Sequence, residues 1–459
     1  MSPLWTSQDI ATATAGTAAA PFAASGVTFD SREVEPGHLF IAMKGAATDG
    51  HRFLDKAFAA GAAGALVSEA IAQPHVLVPD TNAALDDLAR AARARTTARI
   101  CGVTGSVGKT GTKEALYAAL DRGAPGEAHR SVKSYNNHTG VPLSLARMPR
   151  ETRFGVFEMG MNHAGELAQL TRLVRPDVAI VTAIASAHRE FFASEEEIAE
   201  AKAEIFEGLE PGGTALVPFD SPYRDLLADR ARRHAETVLS FGLGKGADVR
   251  AREVVAAPDG GSLVTAVLPE AELTFTISQP GEHWVSNALA VLGAVEALGG
   301  DLAAAGLALA DMAGLKGRGE RHAIAVAGGE ALLIDESYNA NPASMAATLR
   351  TFGTVNPAGR RIAVLGGMKE LGAEAEAFHA GLAGPVEAAC VDYAILVGEE
   401  MAPLAKALGQ KVKIAHVGST AAAIELVSSE VRPGDAILVK GSNSVGLAAL
   451  VEALAGGKS

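Results

Sequence analysis

The stretch that most constrains the fold is Arg99 to Leu116, RICGVTGSVGKTGTKEAL. A short apolar run leads into a glycine-rich turn and then into residues at helical spacing, so the chain must pass from strand to helix through a tight loop. In that setting backbone N–H groups and the positive end of a helix converge, which favours bound phosphate. The pattern G-x-x-x-x-G-K-[ST] would need a glycine at 103, where this chain has Val103. It has instead Thr104, Gly105, Ser106, Val107, Gly108, Lys109 and Thr110. The reading is a shorter phosphate loop, with Lys109 reaching terminal phosphates and the Thr110 hydroxyl binding Mg²⁺. A glycine-rich turn before a purely structural helix is the alternative.

The chain around this loop has 459 residues, more than one core supports, since single cores stop growing at about 250 to 300 residues. The expected class is α/β in three domains. A small N-terminal α/β unit spans 1–98, a central parallel-sheet ATPase domain 99–314, and a C-terminal Rossmann-like domain 315–459. Between 248 and 277 the pattern alternates and is broken by "PDGG" and "PEAE", which predicts an antiparallel appendix to the central sheet. "GLKGRGERH", Gly314 to His322, is the expected hinge.

A net charge of −13 argues against a broad nucleic-acid surface. The apolar runs fall short of the ~20 residues of a membrane span. Two cysteines and an opening "MSPLWTSQDI" without the features of a signal peptide make the cytoplasm the expected compartment. Nothing demands more than a monomer.

Three residues beyond the loop attract attention. Glu158 ends the apolar strand "FGVFE", where the carboxyl edge of a parallel sheet collects ligand groups, although surface glutamates also end strands. His188 follows the strand "DVAIVTAI" in the loop "ASAHREFF". Lys202, in "SEEEIAEAKAEIFEGL", shares an apolar stripe with Ile198, Ala199, Ile205 and Phe206. Either its head snorkels to water, or burial keeps the amine neutral, able to take up CO2 as an anionic carbamate that binds metal.

The order of these features resembles the ADP-forming Mur amide ligases of peptidoglycan synthesis. Their loop T-G-x-x-G-K-T is matched by Thr104 to Thr110. "SYNNHTGVPLSL", "FEMGMNHAGEL", "AKAEIFEGL", "NALAVLGAVEALG", "KGRGER", "ESYNANPASM" and "ILVKGS" follow in the family's order. "SYNANPASM" and "MKELG" are similar to the branch that adds D-alanyl-D-alanine to UDP-N-acetylmuramoyl-tripeptide. "FDSREVEPGHLFIAMKG" is similar to a UDP-sugar-binding domain.

The resemblance implies a ligase that uses ATP and two Mg²⁺ ions and passes through an acyl phosphate. Lys109, His188, Lys202 and Arg318 would be catalytic, with Thr110, Glu158, His188 and a carbamylated Lys202 as metal ligands. Asn287 would read adenine, Arg318 the γ-phosphate, and Asp335 or Glu336 the ribose. Ser31, Arg32, Asn137, Thr139, Tyr338, Asn339, Lys440 and Ser442 would line substrate pockets. Three positions depart from the family's wording. Asp335-Glu336 stands for a pair of aspartates, Gly367 for the acid of "LGDM", and Asn443 for the arginine of "KGSRS". A sibling ligase of the same build and a nucleotide-binding regulatory ATPase are the rival readings.

Overall fold

The computed structural model describes residues 3–45, 48–186, 189–257 and 260–456. Four sheets organise them. The N-terminal five-stranded sheet has four parallel strands, Gly26–Thr28, His38–Ile41, Gly64–Val67 and His75–Leu77, with Thr17–Ala18 antiparallel at one edge. A further two-stranded pair joins Trp5–Thr6 to Ala23–Ala24.

The central domain carries the site. The elements that build its sheet and site are β1 (Arg99–Thr104), α1 (Lys109–Gly123), β2 (Ala128–Arg130), α2 (Gly140–Ala146), β3 (Phe154–Glu158), α3 (Glu166–Val174), β4 (Val178–Val181), α4 (Glu195–Ala203), β5 (Thr214–Pro218), β6 (Thr237–Gly242), β7 (Val249–Ala256), β8 (Ser262–Val267), β9 (Glu272–Ile277) and α5 (Glu282–Ala297), and the helices Arg224–Ala231 and Leu302–Ala310 complete the domain. They form one nine-stranded sheet in the order β9-β8-β7-β6-β5-β4-β1-β3-β2. Pairing is parallel from β2 through to β7 and antiparallel only in β7-β8-β9. The expected appendix is therefore there, but its first strand joins the parallel ladder. Apolar strand residues such as Val103 and Ile180 pack beneath α1 and α5, while Phe157 and Ala179 pack on the opposite face. With both faces covered, the strands read as continuous apolar runs.

β1 lies between β3 and β4: the chain runs from β1 to the edge strand β2, comes back to β3 on the same side, and then crosses to β4 on the other side of β1. That reversal opens a crevice at the carboxyl edge of the sheet, the place where doubly wound folds bind ligands.

The C-terminal sheet has six strands in the order Glu320–Val326, Gly329–Glu336, Ala436–Lys440, Arg361–Gly366, Tyr393–Val397, Lys413–Val417. All are parallel except the first. The segment predicted as a hinge is not all turn, because Glu320 to His322 already pair as strand with Asp335 to Leu333. Gly317 and Gly319, at φ 72° and 91°, make the turn that precedes it.

Candidate active site

The loop from Gly105 to Gly108 is shaped by close approach. Gly105 has φ 150°, and a Cβ on it would fall 1.9 Å from the Thr182 hydroxyl oxygen. That hydroxyl follows β4 and donates to Val107 O at 2.6 Å, tying the loop to the neighbouring strand end. Ser106 is held in the same way, its N–H on Ala183 O at 2.7 Å and its Oγ on Ala185 O at 3.0 Å. Gly108, at φ 84°, is the N-cap of α1, and no side chain caps the helix there. The first-turn N–H groups of α1 are therefore presented at the mouth of the loop, a donor set suited to phosphate oxygens. Lys109 Nζ donates to Gly105 O at 2.7 Å, across the loop where a terminal phosphate would lie.

Thr110 and Glu158 meet directly, Oγ1 donating to Oε2 at 2.8 Å. The other carboxylate oxygen accepts from Asn136 Nδ2 at 2.8 Å, and Glu158 is 1% exposed. A buried carboxylate beside a threonine hydroxyl and a phosphate loop fits a Mg²⁺ ion with phosphate oxygens completing its shell.

Lys202 does not snorkel. It is fully buried in the last turn of α4, and Ile198, Ala199, Ile205 and Phe206 around it are buried as well. Burial, and secondarily the nearby Lys109 ammonium, pushes its amine well below the usual lysine range. Lys109 is also lowered, mainly by burial, with Glu158 opposing and Arg318 adding to the shift. A neutral amine is the form that reacts with CO2. The predicted ligand His188 lies outside the described residues.

Arg318 reaches across the crevice from the C-terminal domain, its Nη2 on Ser134 Oγ at 3.4 Å and its guanidinium over the Tyr338 ring at 4.4 Å. Asp335 and Glu336 have separate roles in the fold. Asp335 is buried and accepts from Gly317 N, Ser337 N and Ser337 Oγ at 2.8, 3.0 and 2.6 Å, so it shapes the turn. Glu336 lines a small cavity between the domains with Gln279, His283, Trp284, Gly319 and Phe352. One turn along α5 from His283, Asn287 packs over the phosphate loop, 3.1 Å from where a Gly108 Cβ would be.

Lys440 is buried and donates to Asn339 O at 3.0 Å and to Glu336 Oε2 at 3.3 Å. Ser442 Oγ accepts from Lys369 N at 3.1 Å, which brings the "MKELG" and "VKGS" segments together. Tyr338, Asn339 and Asn443 are exposed beside them. Beside Gly367 stands Glu400, a carboxylate oxygen 3.5 Å from the Cβ position, so an acid occupies that space from a different loop.

On the N-terminal side, Arg32 forms a bidentate pair with Asp30, holding that carboxyl down to about 2, and Ser31 lies next to it. Asn137 Oδ1 accepts from Thr139 N, Thr139 Oγ1 and Gly140 N, closing the turn that opens α2. The asparagine that meets the Glu158 carboxylate is its neighbour, Asn136, which the motifs do not single out. Ser134 was missed in the same loop.

Comparison with known proteins agrees with this architecture. Residues 23–95 match the model of the Mur ligase family catalytic domain, 103–295 the Mur ligase middle domain, and 317–443 the Mur ligase glutamate ligase domain. The chain is similar to the UDP-N-acetylmuramoyl-tripeptide--D-alanyl-D-alanine ligase of Bacillus subtilis, at 34% identity over 94% of this chain and 93% of the relative. It is 35% identical to the Escherichia coli enzyme of that name, over 93% of each chain. A crystal structure of MurF from Acinetobacter baumannii superposes with a TM-score of 0.83 at 30% identity, covering 98% of this chain and 99% of that one. MurF of Thermotoga maritima, solved in complex with ADP, gives 0.76 at 27% identity, over 94% and 97% of the two chains.

Proposed function

The chain belongs to the Mur ligase family, and we propose that within it this protein joins D-alanyl-D-alanine to UDP-N-acetylmuramoyl-tripeptide at the expense of ATP. The observation that carries the chemistry is Glu158, buried and held between Thr110 and Asn136 at the mouth of a phosphate loop. The choice of substrates rests on the relatives' shared name over more than nine-tenths of the chain. The working units are 1–98 for the UDP-muramoyl substrate, 99–314 for ATP and 315–459 for the dipeptide. The setting is the cytoplasm and the working form a monomer; among the described residues no helix is long and apolar enough to cross a membrane.

Thr110 and Glu158 would hold one Mg²⁺, and carbamylated Lys202 with His188 a second; such ions neutralise charge on phosphate oxygens. The remaining work falls to the chain. Gly105, Ser106, Val107 and Gly108 cradle the phosphates, and Lys109 swings from Gly105 O onto the β- and γ-phosphate oxygens. Thr104 anchors the start of the loop, Asn287 faces the base, and Glu336 meets the ribose while Asp335 keeps its turn in shape. Ser31 and Arg32 serve the uridine nucleotide, and Asn137 and Thr139 the muramoyl group.

An oxygen of the tripeptide's terminal carboxylate attacks the γ-phosphorus, and the bond to ADP breaks with its electron pair leaving on ADP. Lys109 and Arg318 stabilise the negative charge shared in that transfer, and such charge stabilisation, with positioning, supplies most of the catalysis in phosphoryl chemistry. The amine of D-alanyl-D-alanine, placed by Tyr338, Asn339, Lys440 and Ser442, then attacks the acyl carbon. Phosphate departs with the C–O bonding pair, and the nitrogen gives up a proton. Closure of the C-terminal domain keeps water from the acyl phosphate.

The test is phosphate release from ATP, Mg²⁺ and UDP-muramoyl-tripeptide, with and without D-alanyl-D-alanine, using tripeptides ending in diaminopimelate and in lysine. Release that depends on the dipeptide, with a pentapeptide product, is expected. Release that ignores the dipeptide and yields no pentapeptide contradicts the proposal.

A further inference from the structure

Lys113 lies one turn beyond Lys109 on α1 and is fully buried, yet nothing in the mechanism above uses it. Its ammonium donates to Ser131 O at 2.9 Å and to Lys133 O at 2.8 Å, and Glu114 Oε1 stands 2.7 Å away. An ammonium has three N–H donors, so these partners account for all of them. Glu114 is also 2.8 Å from Arg130, which leaves the carboxylate a partner whatever happens to Lys113. The side chain is therefore committed to two carbonyls of a single loop.

That loop bends sharply where Lys113 grips it. Lys133 adopts φ 52°, in the left-handed region that non-glycine residues seldom enter, and its carbonyl is one of the two that Lys113 takes. The same few residues surround Glu158. Ser131 Oγ accepts from the Glu158 N–H at 3.1 Å, and Asn136 Nδ2 donates to Glu158 Oε1 at 2.8 Å. Between them Ser134 Oγ lies 3.5 Å from Thr110 Oγ1 and 3.4 Å from Arg318 Nη2.

We infer that Lys113 is a positioning residue of the ligation site. It pins the 131–136 loop against the phosphate-loop helix, so that Asn136 and Thr110 hold the two oxygens of Glu158 in one metal-binding pose and Ser134 meets Arg318. The helix that presents phosphate-binding N–H groups thereby also sets the position of the metal carboxylate, which lies on a different strand. The inference rests on the functional reading above, through the role given to Thr110 and Glu158.

The experiment is titration calorimetry of ADP with full-length wild type and Lys113→Met, each with Mg²⁺ and with EDTA. Wild type should bind ADP more tightly with Mg²⁺. Lys113→Met should lose about tenfold of that Mg²⁺-dependent affinity, the usual scale for residues that orient metal ligands, while its affinity in EDTA stays unchanged. A purely structural lysine would lower the melting temperature and the active fraction but leave the ratio of the two affinities intact, and that result overturns the inference. A wild type whose ADP affinity ignores Mg²⁺ overturns the functional reading, and the inference with it. Should Lys113→Met fail to fold, Lys113→Gln, which can still donate to one carbonyl, carries the same comparison.

Discussion

The two walls of the crevice differ in how completely they are built within one domain. On the phosphate side, Thr110, Glu158, Asn136, Ser131 and Lys113 form a closed set of hydrogen bonds inside the central domain. On the C-terminal side, Asp335, Lys440 and Ser442 are equally well bonded, but to their own domain. Among the described residues, the hydrogen bonds that bridge the crevice include long or exposed ones. Arg318 meets Ser134 at 3.4 Å, Glu190 N–H reaches Glu370 O at 3.1 Å, and Arg189 pairs with Glu374 at 2.9 Å. The phosphate chemistry is thus preorganised, which is what stabilising developing charge requires. The C-terminal half, to which the proposal gives the dipeptide amine, is well bonded within itself and joined loosely, which would suit a step that waits for a second substrate and domain closure.

The largest expected effect comes from the preorganised wall. Lys202→Ala should lower the initial ligation rate by roughly 10³-fold, the scale of losing a charge-stabilising group, with partial recovery on adding short carboxylic acids. Full activity without added acid would remove Lys202 from the site. Arg318→Ala, from the loosely joined wall, should cost on the order of 10² in kcat while leaving the KM for the muramoyl substrate unchanged. An effect as large as that of Lys202→Ala would erase the distinction between the walls.

The preorganised wall should also answer to acid. His129 bonds Ser144 O at 2.8 Å, linking β2 to α2 behind the 131–139 loop, and chiefly burial holds its imidazole down to about 4. An unfolded chain, with its histidine near 6.5, binds the proton first. The contribution is therefore complete above about pH 6.5 and lost as pH falls toward 4, by roughly 1 to 2 kcal/mol given partial exposure. Thermal melts of wild type across that window should fall more steeply than those of His129→Gln. The smallest effect belongs to Arg189→Ala, whose pair with Glu374 is exposed on one side; a change in kcat of about two- to fivefold, with unaltered ADP affinity, is expected from steady-state rates and ADP titration.

The same difference governs how far the sequence alone could be read. The phosphate loop was legible because strand, glycines and helix are consecutive, and Lys202 because a lysine on an apolar stripe is visible from spacing. Glu158 was legible from its place at a strand end. Asn136 was not, because two adjacent asparagines in an aperiodic loop give no sign of which one turns inward; Asn137 closes the turn that opens α2. Lys113 could be placed on a helix but not connected to carbonyls some twenty residues ahead. That Glu336 rather than Asp335 lines the cavity between the domains depends on which face of a strand looks toward another domain, and local alternation cannot supply that. Gly367 gave no hint that Glu400 stands beside it, since the two meet only through the C-terminal fold.

In the proposed reaction the phosphate wall activates the tripeptide's carboxylate as an acyl phosphate before the dipeptide amine attacks. It is tested most directly with UDP-muramoyl-tripeptide carrying ¹⁸O in both oxygens of its terminal carboxylate, with the released phosphate analysed by mass spectrometry. One ¹⁸O in each phosphate released is expected. Phosphate free of label, formed alongside pentapeptide, would contradict it.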